Sequence, residues 1–506
     1  MLQPTVTVDS KALASLICVL LIGGALVKRT LRIKSTLPLP PSPEKNHWLW
    51  GHVLPVQYGF LQVEQWIKEL GPVVHVRYGR ESVVIVGRHQ AAIDIMERQG
   101  GSTVDRPRSV AAGDMLSGGL RMLFSPSGDR FRRMRRAVHT HLQPKAAETY
   151  EPIQMDNAKN TIFDLLDSPD KYTLHARRYA ASVIQKVAYG KTTPTSGTDP
   201  EVQHVRLSLD RLRHAMRPGQ YFVDTFPFLK HLPWYGRELK KWHQDDLRLY
   251  TSQLGKVQKQ LESNQDVGPS FGKYLLESST EHGLSNSEMA YLAGSFFAAG
   301  SDTTAVAICA MIVSAAVHPE AQAKVQEELD NVIGRQRAPT YDDVDMLPQL
   351  QAFIQESLRW RPIVPQGLGH RVNKDVIWGN YLIPAGTTVF GNHWAISRDP
   401  DVYPNPENFE PQRWLDSQEK VREDLKFPTF GFGRRVCPGQ HVANRSVLIN
   451  TLLILWAFRL SLEPSEKTND MAFMNVVIPK DAPKVHFEKR IDENQLRFMM
   501  ERYSEL

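Results

Sequence analysis

Cysteine is scarce: Cys18, Cys309 and Cys437 are the only three in 506 residues. That excludes the disulfide framework of a secreted scaffold. With no second cysteine near any of them, it also excludes a zinc ribbon or a C-x-x-C redox site. The bulk of the chain is therefore expected to face a reducing compartment. An excess of one charge is lacking too. The 61 Lys+Arg exceed the 55 Asp+Glu by +6, which gives little support for a nucleic-acid partner, and none is expected. Internal repeats and low-complexity tracts are absent, and 42% hydrophobic with 23% charged residues is a globular composition that excludes a disordered or collagen-like chain.

What the sequence does have begins with an apolar run. Residues Ala12 to Val27 carry no charge, and Lys28, Arg29, Arg32 and Lys34 follow at once. As a helix rising about 1.5 Å per residue, this run spans roughly 24 Å of a ~30 Å hydrocarbon core, so Ser10 and a snorkelling Lys11 or Lys28 must complete the crossing. A cleaved signal peptide is the rival reading. A basic n-region is nearly absent and no small-x-small site precedes the basic cluster, which favours a retained anchor. The positive-inside rule then leaves 1–11 as a short lumenal tail, 12–27 as a transmembrane helix and the rest in the cytosol. Residues 28–43 form a basic stretch and a proline-rich hinge, in which Pro38, Pro40, Pro41 and Pro43 enforce a stiff, extended chain. The globular body is 44–506.

In that body, Val73 to Tyr78 and Ser82 to Val86 are β-branched runs around Gly79-Arg80-Glu81, the pattern of a hairpin. From about residue 88 to 360 the spacing is helical, broken by loops such as Thr192 to Pro200 and Met216 to Tyr235. The expected class is mostly α with minor β in one large domain. Ser285-Asn286-Ser287-Glu288 has the form of a capping box, and apolar or small residues continue from Met289 to Val317. Asp302 in the middle of that helix would cost roughly 2.5–3.5 kcal/mol in a bilayer, which argues for a helix through a protein core.

Phe430-Gly431-Phe432-Gly433-Arg434-Arg435-Val436-Cys437-Pro438-Gly439 is the most informative stretch. Its glycines permit a tight loop, and Arg435 places a cation near a lone cysteine. Backbone N–H groups and positive charge lower a thiol pKa, and such a thiolate can serve as an axial iron ligand. A buried, inert cysteine is the plainer alternative.

This decapeptide resembles the F-x-x-G-x-R-x-C-x-G signature of cytochrome P-450 enzymes, the haem-thiolate monooxygenases, and the chain is most similar to microsomal fungal members. The resemblance implies haem b with Cys437 as axial thiolate, Arg435 at a haem propionate and Phe430 packed on the thiolate side. Glu356-Ser357-Leu358-Arg359 resembles the family's E-x-x-R, and Arg413 supplies the third member of its buried structural triad. Ala299-Gly300-Ser301-Asp302-Thr303-Thr304 resembles the oxygen-activation motif, with Gly300 leaving space over the haem and Asp302 and Thr303 delivering protons. A local hydrogen-bonding role that bends the helix is the alternative for that pair. Gly128 to Arg136 resembles the W-x-x-x-R helix beside the propionates, with Arg135 in place and Phe131 where Trp is usual. Arg130, Arg132, Arg133 and Arg136 are either a docking surface for an acidic redox partner or a solvated face. Gly369-His370-Arg371 resembles the strand that sends an arginine to a propionate, here Arg371.

By position relative to these motifs, a hydrophobic substrate pocket is expected from the stretches 115–124, 363–368 and 474–477 together with Phe296 and Ala299, and in particular from Phe296, Ala299, Ile363, Val364, Leu368 and Val476. The implied activity inserts one oxygen atom of O2 into a hydrophobic small molecule. Electrons come from NADPH through a membrane-bound reductase, on the cytosolic side of the endoplasmic reticulum, in secondary metabolism or xenobiotic oxidation. A haem-thiolate isomerase or dehydratase, or a membrane-anchored haem sensor, remains the alternative; the Asp302–Thr303 pair speaks against both.

Overall fold

The computed structural model describes residues 37–45, 47–48, 50–55, 57–79, 81–191, 195–265, 268–463 and 469–503. The expected lumenal tail, the 12–27 anchor, the basic residues 28–34 and Cys18 lie outside the described residues. The helices that build the frame are α1 (Gly59–Leu70), α2 (Asp129–Leu142), α3 (Glu151–Asp167), α4 (Tyr172–Tyr189), α5 (Pro200–Ala215), α6 (Arg237–Glu262), α7 (Asn286–Val317), α8 (Pro319–Val332), α9 (Pro348–Trp360) and α10 (Gln440–Ala457). The strands are β1 (Val73–Tyr78), β2 (Glu81–Val86), β3 (His370–Arg371), β4 (Val376–Trp378), β5 (Tyr381–Ile383), β6 (Thr388–Gly391), β7 (Phe458–Leu462) and β8 (Val485–Lys489). Helix dominates and strand is minor.

The axis of the domain is α7. Its start is fixed by the reciprocal cap foreseen in the sequence: the Ser285 hydroxyl accepts from Glu288 N–H, while the Glu288 carboxylate accepts from Ser285 N–H at 2.9 Å. It is apolar nearly all round, and so it must be enclosed. Among the described residues it is the one helix long and apolar enough to cross a membrane, and it is mostly buried inside the protein by α4, α6 and α10. Two glycines allow those neighbours to approach. A Cβ on Gly294 would lie 2.1 Å from Tyr250 Cδ1, and one on Gly300 would lie 2.7 Å from Ile184 Cδ1. Gly300 therefore faces α4. The expectation that it clears space over a cofactor is corrected: its missing side chain serves helix packing.

The sheets sit to one side. β1 pairs with β2 antiparallel, with Val73 opposite Val86, and the order β1-β2-β6-β3 carries the chain from the N-terminal hairpin to the strand holding His370. The proline-rich segment is extended as its prolines require. It is also stitched to these sheets: Pro38 O accepts from Leu382 N–H at 2.8 Å, and Pro41 O from His75 N–H at 2.7 Å. Residues 216–235 form two short 3-10 turns, Phe222–Asp224 and Pro227–His231. Their inward side chains Tyr221, Val223 and Leu229 join a small satellite core with Met115, Leu116 and Leu239. Met115 and Leu116 therefore belong to that satellite core rather than to a substrate pocket.

Candidate active site

The loop before α10 places the cysteine. Gly431 and Gly433 adopt φ of +83° and +54°, a left-handed backbone that glycine takes without strain. A Cβ on Gly433 would lie 2.6 Å from Met96 O. The turn closes when Cys437 N–H donates to Phe430 O at 2.9 Å. The sulfur receives the Gly439 N–H and lies near Arg135. Burial still outweighs both and raises the thiol pKa, contrary to the lowering expected from the loop alone. A thiolate at this depth needs a further positive partner, which a metal supplies. Cys309 is enclosed within α7, and its thiol is pushed up by burial, so it has no comparable setting.

Around the cysteine loop lies a cluster of cations. Arg435 is buried, donates to Val104 O at 2.7 Å and Ser125 O at 2.8 Å, and stacks its guanidinium 3.5 Å over the Phe131 ring. Phe131, which stands where tryptophan was expected, thus supplies a cation–π face instead of an indole donor. Burial, then the neighbouring charge of Arg106, pulls Arg435 down to about 9. Arg106 donates to Gly369 O at 2.6 Å, has a buried Nε with no partner, and is pulled down to about 10 by burial. Arg135 is lowered in the same direction by desolvation. Among the described residues no carboxylate makes a salt bridge with any of the three, although the charge of Asp105 acts on Arg435. His370 completes the group: it is buried, its Nδ1 sits 2.9 Å from Thr103 O, and burial followed by the charge of Arg106 holds it neutral, down to about 3.

Arg371 is corrected. Successive strand residues face opposite sides, and in β3 it is His370 that turns inward while Arg371 is exposed, near Gly386 and Glu81. Sequence reasoning missed Arg106 and His370. For His370 the strict alternation of a two-residue strand was the available signal. For Arg106, nothing in the sequence separates it from Arg108, which instead bonds Asp114 at 2.6 Å.

In its middle, α7 changes character. Ala299 is exposed in the middle of this enclosed helix, and Thr303, one turn on, donates its hydroxyl to Ala299 O at 2.7 Å. Leu368 and Val477 are each 40% exposed. Uncovered apolar side chains of this kind are the surface on which an apolar ligand would rest. Ile363, Val364 and Val476 are partly covered nearby, and Val476 N–H donates to Ile363 O at 3.2 Å. Phe296 meets Phe271 edge-on with ring centres 5.6 Å apart. Asp302 turns to α5: its Oδ2 accepts from Arg213 Nη2 at 2.7 Å.

The Glu356, Arg359 and Arg413 side chains meet. Arg359 grips both carboxylate oxygens of Glu356, at 2.8 and 2.7 Å, and Arg413 Nε reaches Oε1 at 3.2 Å. Trp414 Nε1–H and Glu410 N–H add bonds of 2.9 and 2.7 Å, so the fully buried carboxylate is saturated. Burial raises its pKa, but the Arg359 hydrogen bonds and the two guanidinium charges more than reverse this. On α2, Arg130 is committed to Glu288 at 2.6 Å and Arg133 to Gly283 O, which leaves Arg132 and Arg136 as its exposed cations.

A cysteine held in a tight loop beside cations that make no salt bridge fits an anionic macrocycle whose metal takes a sulfur ligand; this is the chemistry of a haem-thiolate protein. The cytochrome P450 family profile matches residues 40–487. The chain is 50% identical over 456 residues to cytochrome P450 monooxygenase 113 of Postia placenta, covering 90% of this chain and 92% of that one. It is 48% identical, over the same shares, to cytochrome P450 monooxygenase 64 of that fungus. It is 31% identical to cytochrome P450 monooxygenase claR of Ampulloclitocybe clavipes, over 93% and 88%. The chain belongs to the cytochrome P450 family: it is an oxidoreductase that incorporates oxygen, and it carries haem with an axial cysteine.

Proposed function

We propose that this protein is a membrane-bound monooxygenase that inserts one oxygen atom of O2 into a hydrophobic small molecule, with Cys437 as the haem ligand. The observation that carries the reading is the pairing of a loop-held Cys437 with three cations, Arg106, Arg135 and Arg435, that make no salt bridge among the described residues. Those cations, with His370, would hold the carboxylates of a bound haem by charge-assisted hydrogen bonds. Phe430 contributes the carbonyl that closes the turn, and the Gly439 N–H donates to the sulfur. When bound, haem supplies the oxygen activation that a thiolate ligand promotes. The residues of α7 do the rest. Ala299 leaves room beside the reacting position, the Thr303 hydroxyl holds a proton donor at the cavity face, and the Asp302 carboxylate carries protons inward from α5. Leu368, Val364, Val476 and Val477 exclude water and orient an apolar substrate.

Electrons reach the site from NADPH through a reductase, whose acidic surface would meet Arg132, Arg136 and Arg434. Membrane attachment rests on the 12–27 run, and a second feature supports it. Phe222, Phe228 and Trp234, 59%, 65% and 62% exposed, project from the segment whose other side chains fill the satellite core. Aromatic side chains presented this way suit the headgroup layer of the endoplasmic reticulum. The oxidation serves secondary metabolism or the breakdown of xenobiotics.

The test is the spectrum of the reduced protein under carbon monoxide, followed by NADPH consumption with a reductase. A thiolate-type spectrum is expected for the native chain and its loss in Cys437→Ala; an unchanged spectrum in the variant removes the assignment.

A further inference from the structure

A cavity of about 560 Å³ lies between α8 and the β7–β8 hairpin, and none of its lining residues belongs to α7 or to the cysteine loop. Among its lining side chains only that of Ala323 is apolar, so it does not suit the hydrophobic molecule assigned to the cysteine site. Its least exposed lining side chains, Gln326 and Arg490, are tied down. Gln326 donates to Leu455 O at 3.1 Å and Phe458 O at 2.9 Å, and Arg490 Nη1 donates to Leu455 O and Trp456 O, both at 2.9 Å. The floor is therefore rigid and polar.

The charges around it are unevenly matched. Arg335 Nη2 and Arg490 Nη2 both bind Asp330 Oδ2, at 2.7 and 2.8 Å, so two guanidiniums share one carboxylate. Arg459 lines the cavity from β7, and its guanidinium makes no hydrogen bond or salt bridge among the described residues. Glu488 stands directly opposite it on β8. Opposite charges so placed can pair, yet these two make no salt bridge, and both stay open to the cavity. Burial first, then the charges of Arg335 and Arg459, lower the Arg490 pKa in spite of Asp330, so the three guanidiniums act on one another.

Donors are left over as well as charge. Arg335 uses three of its five N–H groups, two on Asp330 and one on Arg490 O at 3.2 Å, and Lys489 gives one of its three to Glu493 at 2.9 Å. The unspent donors come from three places: the segment after α8, β7 and β8. A carboxylate offers two oxygens and suits one guanidinium fork, whereas the three terminal oxygens of a phosphate can meet all three groups. Glu327 on α8 and Glu488 make no salt bridge among the described residues, so each can accept from a hydroxyl while repelling a second anionic group.

We propose that this cavity binds a small soluble phosphate ester bearing hydroxyl groups, a sugar phosphate or a mononucleotide, with the phosphate on Arg335, Arg459 and Lys489 and the hydroxyls on Glu327 and Glu488. The site stands apart from the monooxygenase reading. A native protein without a thiolate-type carbon monoxide spectrum defeats that reading and leaves this one in place.

The test is titration calorimetry on the full-length holoprotein at constant ionic strength in chloride. Ribose 5-phosphate and AMP should bind, and ribose, gluconate and short-chain phosphatidic acid should bind more weakly or give no heat. Arg459→Gln should weaken ribose 5-phosphate about tenfold or more, with Arg459→Lys in between. The Arg459 guanidinium holds no other part of the chain, so an unchanged carbon monoxide spectrum and melting temperature are expected in both variants. Glu488→Gln should weaken ribose 5-phosphate but not inorganic phosphate, which a merely general attraction of anions would not produce. No heat from ribose 5-phosphate up to about 10 mM, a native affinity in Arg459→Gln, or tighter binding of gluconate or phosphatidic acid overturns the proposal.

Discussion

Two clusters of enclosed arginines among the described residues can be set side by side, and their surroundings differ in one respect. Arg359 and Arg413 close on Glu356, whose carboxylate also accepts from Trp414 and Glu410. Arg106, Arg135 and Arg435 lie beside the cysteine loop with carbonyls and an aromatic ring for company; the charge of Asp105 bears on Arg435, but among the described residues no carboxylate makes a salt bridge with any of the three. A buried charge costs several kcal/mol unless it is paired, so the first group is complete within the chain while the second is complete only with an anionic ligand. The difference separates scaffold from site without reference to any motif.

The largest effect tests the complete group. Glu356→Ala leaves two guanidiniums buried and unpaired, and should cost about 3–5 kcal/mol in denaturant unfolding, with little holoprotein recovered. A loss under about 1 kcal/mol would make the triad dispensable and erase the contrast. The second prediction addresses the incomplete group. Replacing Arg435 or Arg106 by Met should weaken haem retention by about 1.5–3 kcal/mol, read as faster transfer to a haem acceptor. The haem-stripped variants should be as stable as the native apoprotein or more so, since an uncompensated buried charge has been removed. Equal haem retention, or an apoprotein destabilised as much as by Glu356→Ala, would place these arginines in the scaffold.

Part of this contrast could be read from residue order. The β1–β2 hairpin, the Ser285 cap and the enclosed helix behind it follow from local rules of β-branching, capping and periodicity. Glu356 and Arg359 lie three apart, so any helix brings them together. The rest depends on contacts between distant segments. Arg213 reaches Asp302 and Val476 across separations of 89 and 263 residues, and no local pattern marks it. Gly300 was assigned to the cavity because its motif invited that, while its true neighbour is Ile184 on another helix. The choice between His370 and Arg371 turned on which face of a two-residue strand is covered, and β6 decides it.

Two smaller effects sharpen the comparison. His318, which stacks on Phe409, and His393, which packs against Phe432 of the cysteine loop, are both held neutral by burial, each down to about 4 from an ordinary value of 6.5. The unfolded chain binds protons at these sites below about 6.5 and the folded one does not, so stability present above 6.5 is lost as the pH falls toward 4. The expected loss is about 1.4 kcal/mol per histidine at one pH unit below 6.5, visible as a falling melting temperature. In His318→Phe, which keeps the stack on Phe409, the acid slope should flatten; a slope identical to the native one would assign the acid sensitivity elsewhere. Smallest is Phe131→Leu, which removes the ring under Arg435 and should lower the melting midpoint by an amount worth about 0.5–2 kcal/mol, whereas Phe131→Trp should keep or raise it.

The central claim is that the Cys437 sulfur is bonded to haem iron within this ring of cations. Resonance Raman spectra of ferric protein grown with ordinary or sulfur-34 cysteine measure that bond directly. An iron–sulfur stretch that shifts with the isotope and vanishes in Cys437→Ala is the predicted result; a spectrum with no sulfur-sensitive band, or one whose band survives the substitution, contradicts it.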